Sequence, residues 1–170
     1  MPSYTNLLEE ALEAWEDARL GALDEAANIP EEQWDFRPTP EVRSVRELVV
    51  HILEVAMLMT GELTRPDTNL QRAPWPKMLK TYAQPAYDAE TRGELLKLMR
   101  SQLTDGVAAF RNAGELHMLQ FIRRFDGKMG TRLAWFQHGI AQEMYHRGQL
   151  ATYARLVGIE PALTRKIRGG

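Results

Sequence analysis

The sequence predicts an all-α fold, a four-helix bundle or a close relative of one, on three observations. Four long stretches carry apolar residues at intervals of three and four between charged ones, the spacing that lines up one face of a helix. Two long proline-bearing connections separate the first three, and no internal repeat or low-complexity tract argues for another architecture. The 170 residues suit one domain, 1–170, because a chain of that length buries about 68 to 70% of its unfolded surface without a staple.

The first helix is expected over about 4–27, through Leu7, Leu8, Ala11, Leu12, Trp15, Ala18, Leu20 and Leu23, and Asn28-Ile29-Pro30 stops it. Residues 31–43 hold Pro38 and Pro40, which remove backbone donors, so this stretch reads as a loop pinned to the core by Trp34 and Phe36. Ser44 is a candidate N-cap with Glu47 completing a capping box, and Leu48, His51, Val55 and Leu58 then follow on one inward face. Pro66, Asn69, Pro74, Pro76 and Pro85, together with Trp75, Tyr82 and Tyr87, mark a long loop that either closes over a site as a lid or packs beside it. A third helix over about 90–111 runs through Leu95, Leu98, Met99, Leu103, Val107 and Phe110 and ends at Asn112-Ala113-Gly114. Asp126-Gly127 predicts a small hairpin within 121–131. The last helix, about 131–157, ends at Gly158 and Pro161; it is apolar around much of its circumference, which predicts a homodimer. The basic tail Arg165-Lys166-Ile167-Arg168 reads as a solvated end.

Composition narrows the function. No cysteine is present, so disulfides, thiolate zinc sites and a protein thiol nucleophile are excluded, and any metal falls to His, Asp, Glu or amide oxygen. A formal net charge of −2 gives no global field for a polyanion or an anionic membrane surface. The basic residues Arg123, Arg124, Lys128 and Arg132 are too few and sparse to read nucleic acid, so no nucleic-acid partner is expected. No apolar run approaches the roughly 18 residues needed to span a bilayer. The N-terminal residues mix Glu9, Glu10, Glu13 and Glu16 with apolar side chains, unlike a cleavable signal, so the expected location is the cytoplasm, with no membrane partner.

Gln142-Glu143-Met144-Tyr145-His146-Arg147-Gly148-Gln149, read with the distant His51, is the stretch that suggests chemistry. At about 100° and 1.5 Å per residue, Gln142 and His146 lie about 40° apart and one turn along one face, close enough to share an ion. His138 lies about 80° and 12 Å of rise from His146 and fits the same ion poorly. Trp135 and Tyr153 share the angular wedge of Gln142 and His146 and would wall a site above and below. Each residue also has a plain structural reading: His51 as a core histidine, Gln142 as an interhelical hydrogen-bonder, His146 as a helix-surface residue beside Arg147. The conjunction of an inward histidine on one helix with a polar wedge on another is how bundles build metal sites. Glu143 and His146 have the spacing of di-iron carboxylate bundles, but no second such pair exists.

The run His146-Arg147-Gly148-Gln149-Leu150 in a late helix, with His51 in Glu47-Leu48-Val49-Val50-His51 after a loop bearing Trp34 and Pro38, resembles the DinB-like (DinB/YfiT) family over nearly the whole chain. The order of elements is similar too. The resemblance implies a bundle, often dimeric, with a divalent ion (nickel, zinc, manganese or iron) held by one histidine of the second helix and two, spaced four apart, of the last. Carried across, the metal ligands are His51, Gln142 and His146. Gln142 departs from the pattern, standing where the family usually has a histidine, and an amide oxygen is a harder and weaker ligand, better suited to oxygen-loving ions than to zinc. Three outcomes follow: a site of two histidines and an amide, a site filled only at high metal, or a pocket without metal. If the ion binds, it acts as a Lewis acid that lowers the pKa of a bound water or thiol, its open positions facing Trp75 and Tyr82. The family's chemistry then implies a metal-dependent transferase or hydrolase for a small molecule or low-molecular-weight thiol. Glu47 and Glu54, near His51, are candidates for supporting it. The alternative is a non-catalytic dimeric bundle, a binding or stress-associated protein with a degenerate site.

Overall fold

The computed structural model describes residues 6–67 and 69–169. Four long helices form the bundle: α1 (Leu7–Asn28), α2 (Val45–Leu63), α5 (Arg92–Ala113) and α7 (Arg132–Leu156), with shorter helices set between or after them. The expected start of α1 at residue 4 lies outside the described residues; among these, Asn6 caps the helix by accepting from the Glu9 backbone N–H. Ser44 and Glu47 form the reciprocal capping box that their spacing predicts, and Thr91 with Glu94 forms a second one, which sets α5 two residues later than expected. α5 stops at Gly114 and α7 before Gly158, where the breaks were expected.

The connection between α2 and α5 is long but not bare. It carries α3 (Trp75–Tyr82) and α4 (Gln84–Asp88). Pro76 and Pro85 sit in the first turns of these helices, where a missing N–H costs nothing because that donor has no intrahelical acceptor. Prolines that read as breakers are therefore starters, and the segment is a strap across α2. Its first anchor is Glu62, fully buried, which takes hydrogen bonds from Arg72 and from the Tyr82 hydroxyl (2.6 Å). Gly61 leaves room for it: a Cβ there would stand 2.2 Å from the Tyr82 ring. After α6 (Glu115–Met118) comes the expected hairpin, β1 (Phe121–Arg123) paired antiparallel with β2 (Met129–Thr131).

The basic tail is helical, and Arg165, Lys166, Ile167 and Arg168 are exposed on it, the solvated end that was expected. Residues Ala162–Gly169 form α8, and its first N–H groups donate to the buried carboxylate of Glu25 on α1 at 2.8 and 3.0 Å. A carboxylate at a helix N-terminus satisfies orphan donors and complements the dipole, which holds α8 on α1.

The core divides into two apolar clusters. One gathers Leu12, Trp15, Val55, Met59, Phe110 and Phe136, with Trp15 edge-on to both phenylalanines; the other gathers Leu23, Trp34, Val49, Ile52, Met99, Leu150 and Tyr153. Phe36 packs against the second cluster, so the loop before α2 is pinned as expected. At their boundary sits a buried polar knot. Arg19, wholly buried on α1, bonds both carboxylate oxygens of Glu143 on α7 (2.6 and 2.8 Å) and reaches Gln102 and the Met99 carbonyl on α5. Gln102 donates on to Thr60 of α2, and Trp15 donates to Glu143. All four long helices are tied through one charge pair. No helix among the described residues is long and apolar enough to cross a membrane.

Candidate metal centre

α2 and α7 pack side by side, and their ridges bring His51 and His146 together with ring centroids 5.1 Å apart and planes nearly perpendicular. His51 is half-buried and His146 buried. Each ring is held from its own helix by a side chain three residues on. His51 Nδ1 lies 2.9 Å from Glu54 Oε2, and His146 Nδ1 lies 2.6 Å from Gln149 Oε1. A carboxylate only accepts, so the His51 proton sits on Nδ1; the same holds for His146 facing an amide oxygen. Nε2 of both rings is then left with its lone pair, the form in which imidazole ligates metal. Burial pulls the His146 pKa below the ordinary histidine value, with the charges of His51 and Arg43 acting in the same direction against the Gln149 bond, so the ring stays neutral at pH 7.

Gln142 stands one turn before His146 on α7. Both atoms of its side-chain amide are buried, and neither has a hydrogen-bond partner. Such a group is rare, since buried polar atoms are almost always satisfied, and it calls for an explanation such as an ion. Among the described residues no group of three or more His, Cys, Asp or Glu side chains gathers to hold a metal, so a three-ligand set here must draw on Gln142. Two imidazoles with their second nitrogens engaged, and one amide oxygen with nothing bound to it, fit a divalent cation that accepts mixed N and O ligands.

The other candidates are placed elsewhere. His138 is exposed and lies tilted against the Trp135 ring, and His117, unremarkable in the sequence, bonds the Leu63 carbonyl through Nε2 at 2.9 Å. Tyr153 turns its hydroxyl to the Arg43 carbonyl and Trp135 packs with Phe125. Glu143 is taken up by Arg19 and Trp15, which disposes of any di-iron role. Glu47 closes the Ser44 capping box and pairs with Arg37, whereas Glu54 takes the supporting position beside His51. Trp75 packs on Phe125 and Tyr82 bonds Glu62, so neither expected strap residue is committed to the histidines. The strap residue that reaches them is Tyr87 of α4, whose hydroxyl donates to Glu54 Oε1 at 2.7 Å; burial, then the adjacent carboxylate, pushes its pKa up to about 12. The spacings His51-x-x-Glu54 and His146-x-x-Gln149 were there to be read, but nothing local pointed to Tyr87. A cleft of about 490 Å3 reaches Glu54, lined also by Arg37, Arg43, Arg46, Glu47 and Val50, and neither histidine is among its lining residues.

Comparison with known proteins agrees with this architecture. The model of the DinB family matches residues 1–168. No curated protein gives a significant match. Among solved structures, the chain is similar to the DinB-like protein YjoA of Bacillus subtilis (23% identity, TM-score 0.67, covering 88% of this chain and 92% of that one). It is also similar to Bacillus subtilis YfiT, described as a probable metal-dependent hydrolase with an unusual four-helix bundle topology (14%, TM-score 0.66, 94% and 93%). A mycothiol-dependent maleylpyruvate isomerase shares the fold at 12% identity and TM-score 0.63 over 85% of this chain, which spans only 61% of that protein. With a family match along nearly its full length and the same bundle in its structural neighbours, the chain belongs to the DinB family.

Proposed function

We propose that His51, Gln142 and His146 hold a divalent metal ion and that the protein is a metal-dependent transferase or hydrolase acting on a small molecule or low-molecular-weight thiol. The observation that carries this reading is the buried, unbonded amide of Gln142 one turn from a neutral His146 that meets His51. A bound ion would supply Lewis-acid polarisation of a substrate atom. The protein's own part is to present donors: Glu54 and Gln149 hold the two rings by Nδ1, and burial keeps His146 unprotonated. The amide oxygen at 142 favours an oxygen-loving ion such as manganese over zinc. The description of YfiT as metal-dependent and of the isomerase as mycothiol-dependent supports this class of chemistry. With no cysteine in the chain, a reacting thiol must come from the substrate.

The test is metal analysis of protein purified without a metal-affinity tag, followed by thermal shift with nickel, zinc, manganese and iron. Stoichiometric metal or a clear shift is expected, and His146→Ala should abolish the shift with helix content intact. Neither metal nor shift in the wild type would sink the reading. The weak neutral amide favours a second reading, a non-catalytic dimeric bundle with a degenerate site; its homodimer would use the outer face of α7, where Met144, Tyr145 and Leu156 are exposed, and light scattering reads its mass.

A further inference from the structure

Two tyrosines tether the α3–α4 strap to α2, and they end on different chemistry. Tyr82 donates to Glu62, a carboxylate already closed in by Arg72. Tyr87 donates to Glu54, whose second oxygen is bonded to His51 Nδ1. Glu54 and Glu62 lie eight residues apart, about two turns and 12 Å along α2. The strap thus has one anchor in a structural pair and another in the candidate metal centre.

We propose that Tyr87 is a positioning residue for His51: acting through Glu54, its hydroxyl fixes the ring's orientation and keeps Nε2 as the donor nitrogen. The proposal rests on the metal reading above. A free imidazole rotates about its side-chain bonds and exchanges tautomers, and the form usually favoured in water carries its proton on Nε2, which blocks ligation there. A carboxylate at Nδ1 reverses that preference, but a glutamate on an open helix face has three torsions of its own. Glu54 is held at both oxygens, by the ring on one side and by a hydroxyl from another element on the other. The hydroxyl sets the carboxylate, the carboxylate sets the ring, and the strap becomes part of the ligand's support. His146 has its own acceptor in Gln149, so the tether bears on one ligand of the three.

The experiment uses the metal-free protein labelled with nitrogen-15, and then cobalt(II) as the probe. Side-chain nitrogen shifts read the His51 tautomer without any metal; cobalt titration, followed by visible absorption, reads affinity and ligand geometry. In the wild type His51 should show a protonated Nδ1. In Tyr87→Phe the Nε2-protonated form should grow, cobalt affinity should fall about tenfold, and the absorption band should change shape. Glu54→Ala should exceed both effects. Tyr82→Phe serves as the control for a loosened strap: it should lower thermal stability and leave the His51 shifts and cobalt affinity unchanged. Wild-type shifts and affinity in Tyr87→Phe would overturn the proposal, as would equal changes in Tyr82→Phe. Wild-type protein that takes up no cobalt would overturn the metal reading instead, and the metal-free His51 shifts would still decide whether Tyr87 positions the ring.

Discussion

In the proposed site, Gln142 sets stability against function within one side chain. Leaving a buried amide without hydrogen bonds costs roughly 1–3 kcal/mol, and a similarly shaped apolar group removes that cost. Gln142→Leu is therefore expected to stabilise the metal-free protein by about 1 kcal/mol in urea unfolding and to erase any metal-induced thermal shift. A variant less stable than the wild type, with the metal response retained, would show that the amide is satisfied and not a ligand. This residue was legible in the sequence because helical spacing is local: four residues place Gln142 and His146 on one face whatever else the chain does. Arg19 was not legible. A lone arginine on an amphipathic helix reads as a surface residue until a glutamate 124 positions away is known to meet it.

At the scale of elements, the strap shows how one signal supports two structures. Proline ends a helix from its interior and starts one from its first turn, so only the following residues, and what they pack on, decide between a bare loop and α3 or α4. The capping box at Ser44 carried no such ambiguity, because both of its bonds close within four residues. The strap's main anchor also makes a pH prediction. Burial alone would raise the Glu62 pKa, but the bonds from Arg72 and Tyr82 and the charges of Arg72 and Arg65 outweigh it and hold the carboxyl below its usual value. A depressed folded-state pKa means that the unfolded chain takes up the proton first, near pH of about 4.3. The contribution is thus fully present above that pH and is lost as pH falls through the lower, folded value. Urea midpoints measured from pH 7 downward should decline more steeply in the wild type than in Glu62→Gln, and equal slopes would refute the assignment.

Across the whole molecule, the number and order of long helices could be read from apolar periodicity, whereas the way they are joined could not. Periodicity reports which face is buried and says nothing of which helix it meets; the Arg19–Glu143 pair, with Gln102 and Thr60, supplies that pairing between two apolar clusters. Breaking a buried pair strands a charge, so Glu143→Leu should cost about 3–5 kcal/mol in denaturant unfolding. Arg19→Met together with Glu143→Leu should recover most of that loss, because the double change removes both desolvated charges. Additive losses would mean that the knot acts through its other bonds.

Glu143 adjoins Gln142 and lies one turn before His146, so the pair with Arg19 sets how α7 is rotated against α1 independently of what stands at the neighbouring positions. Mutation can then try amide, imidazole or carboxylate at position 142 without the helix rolling to accommodate each one. If position 142 holds the ion as proposed, alignment and ion affinity fall to adjacent residues, and the choice of metal is open to single substitutions while the bundle stays the same.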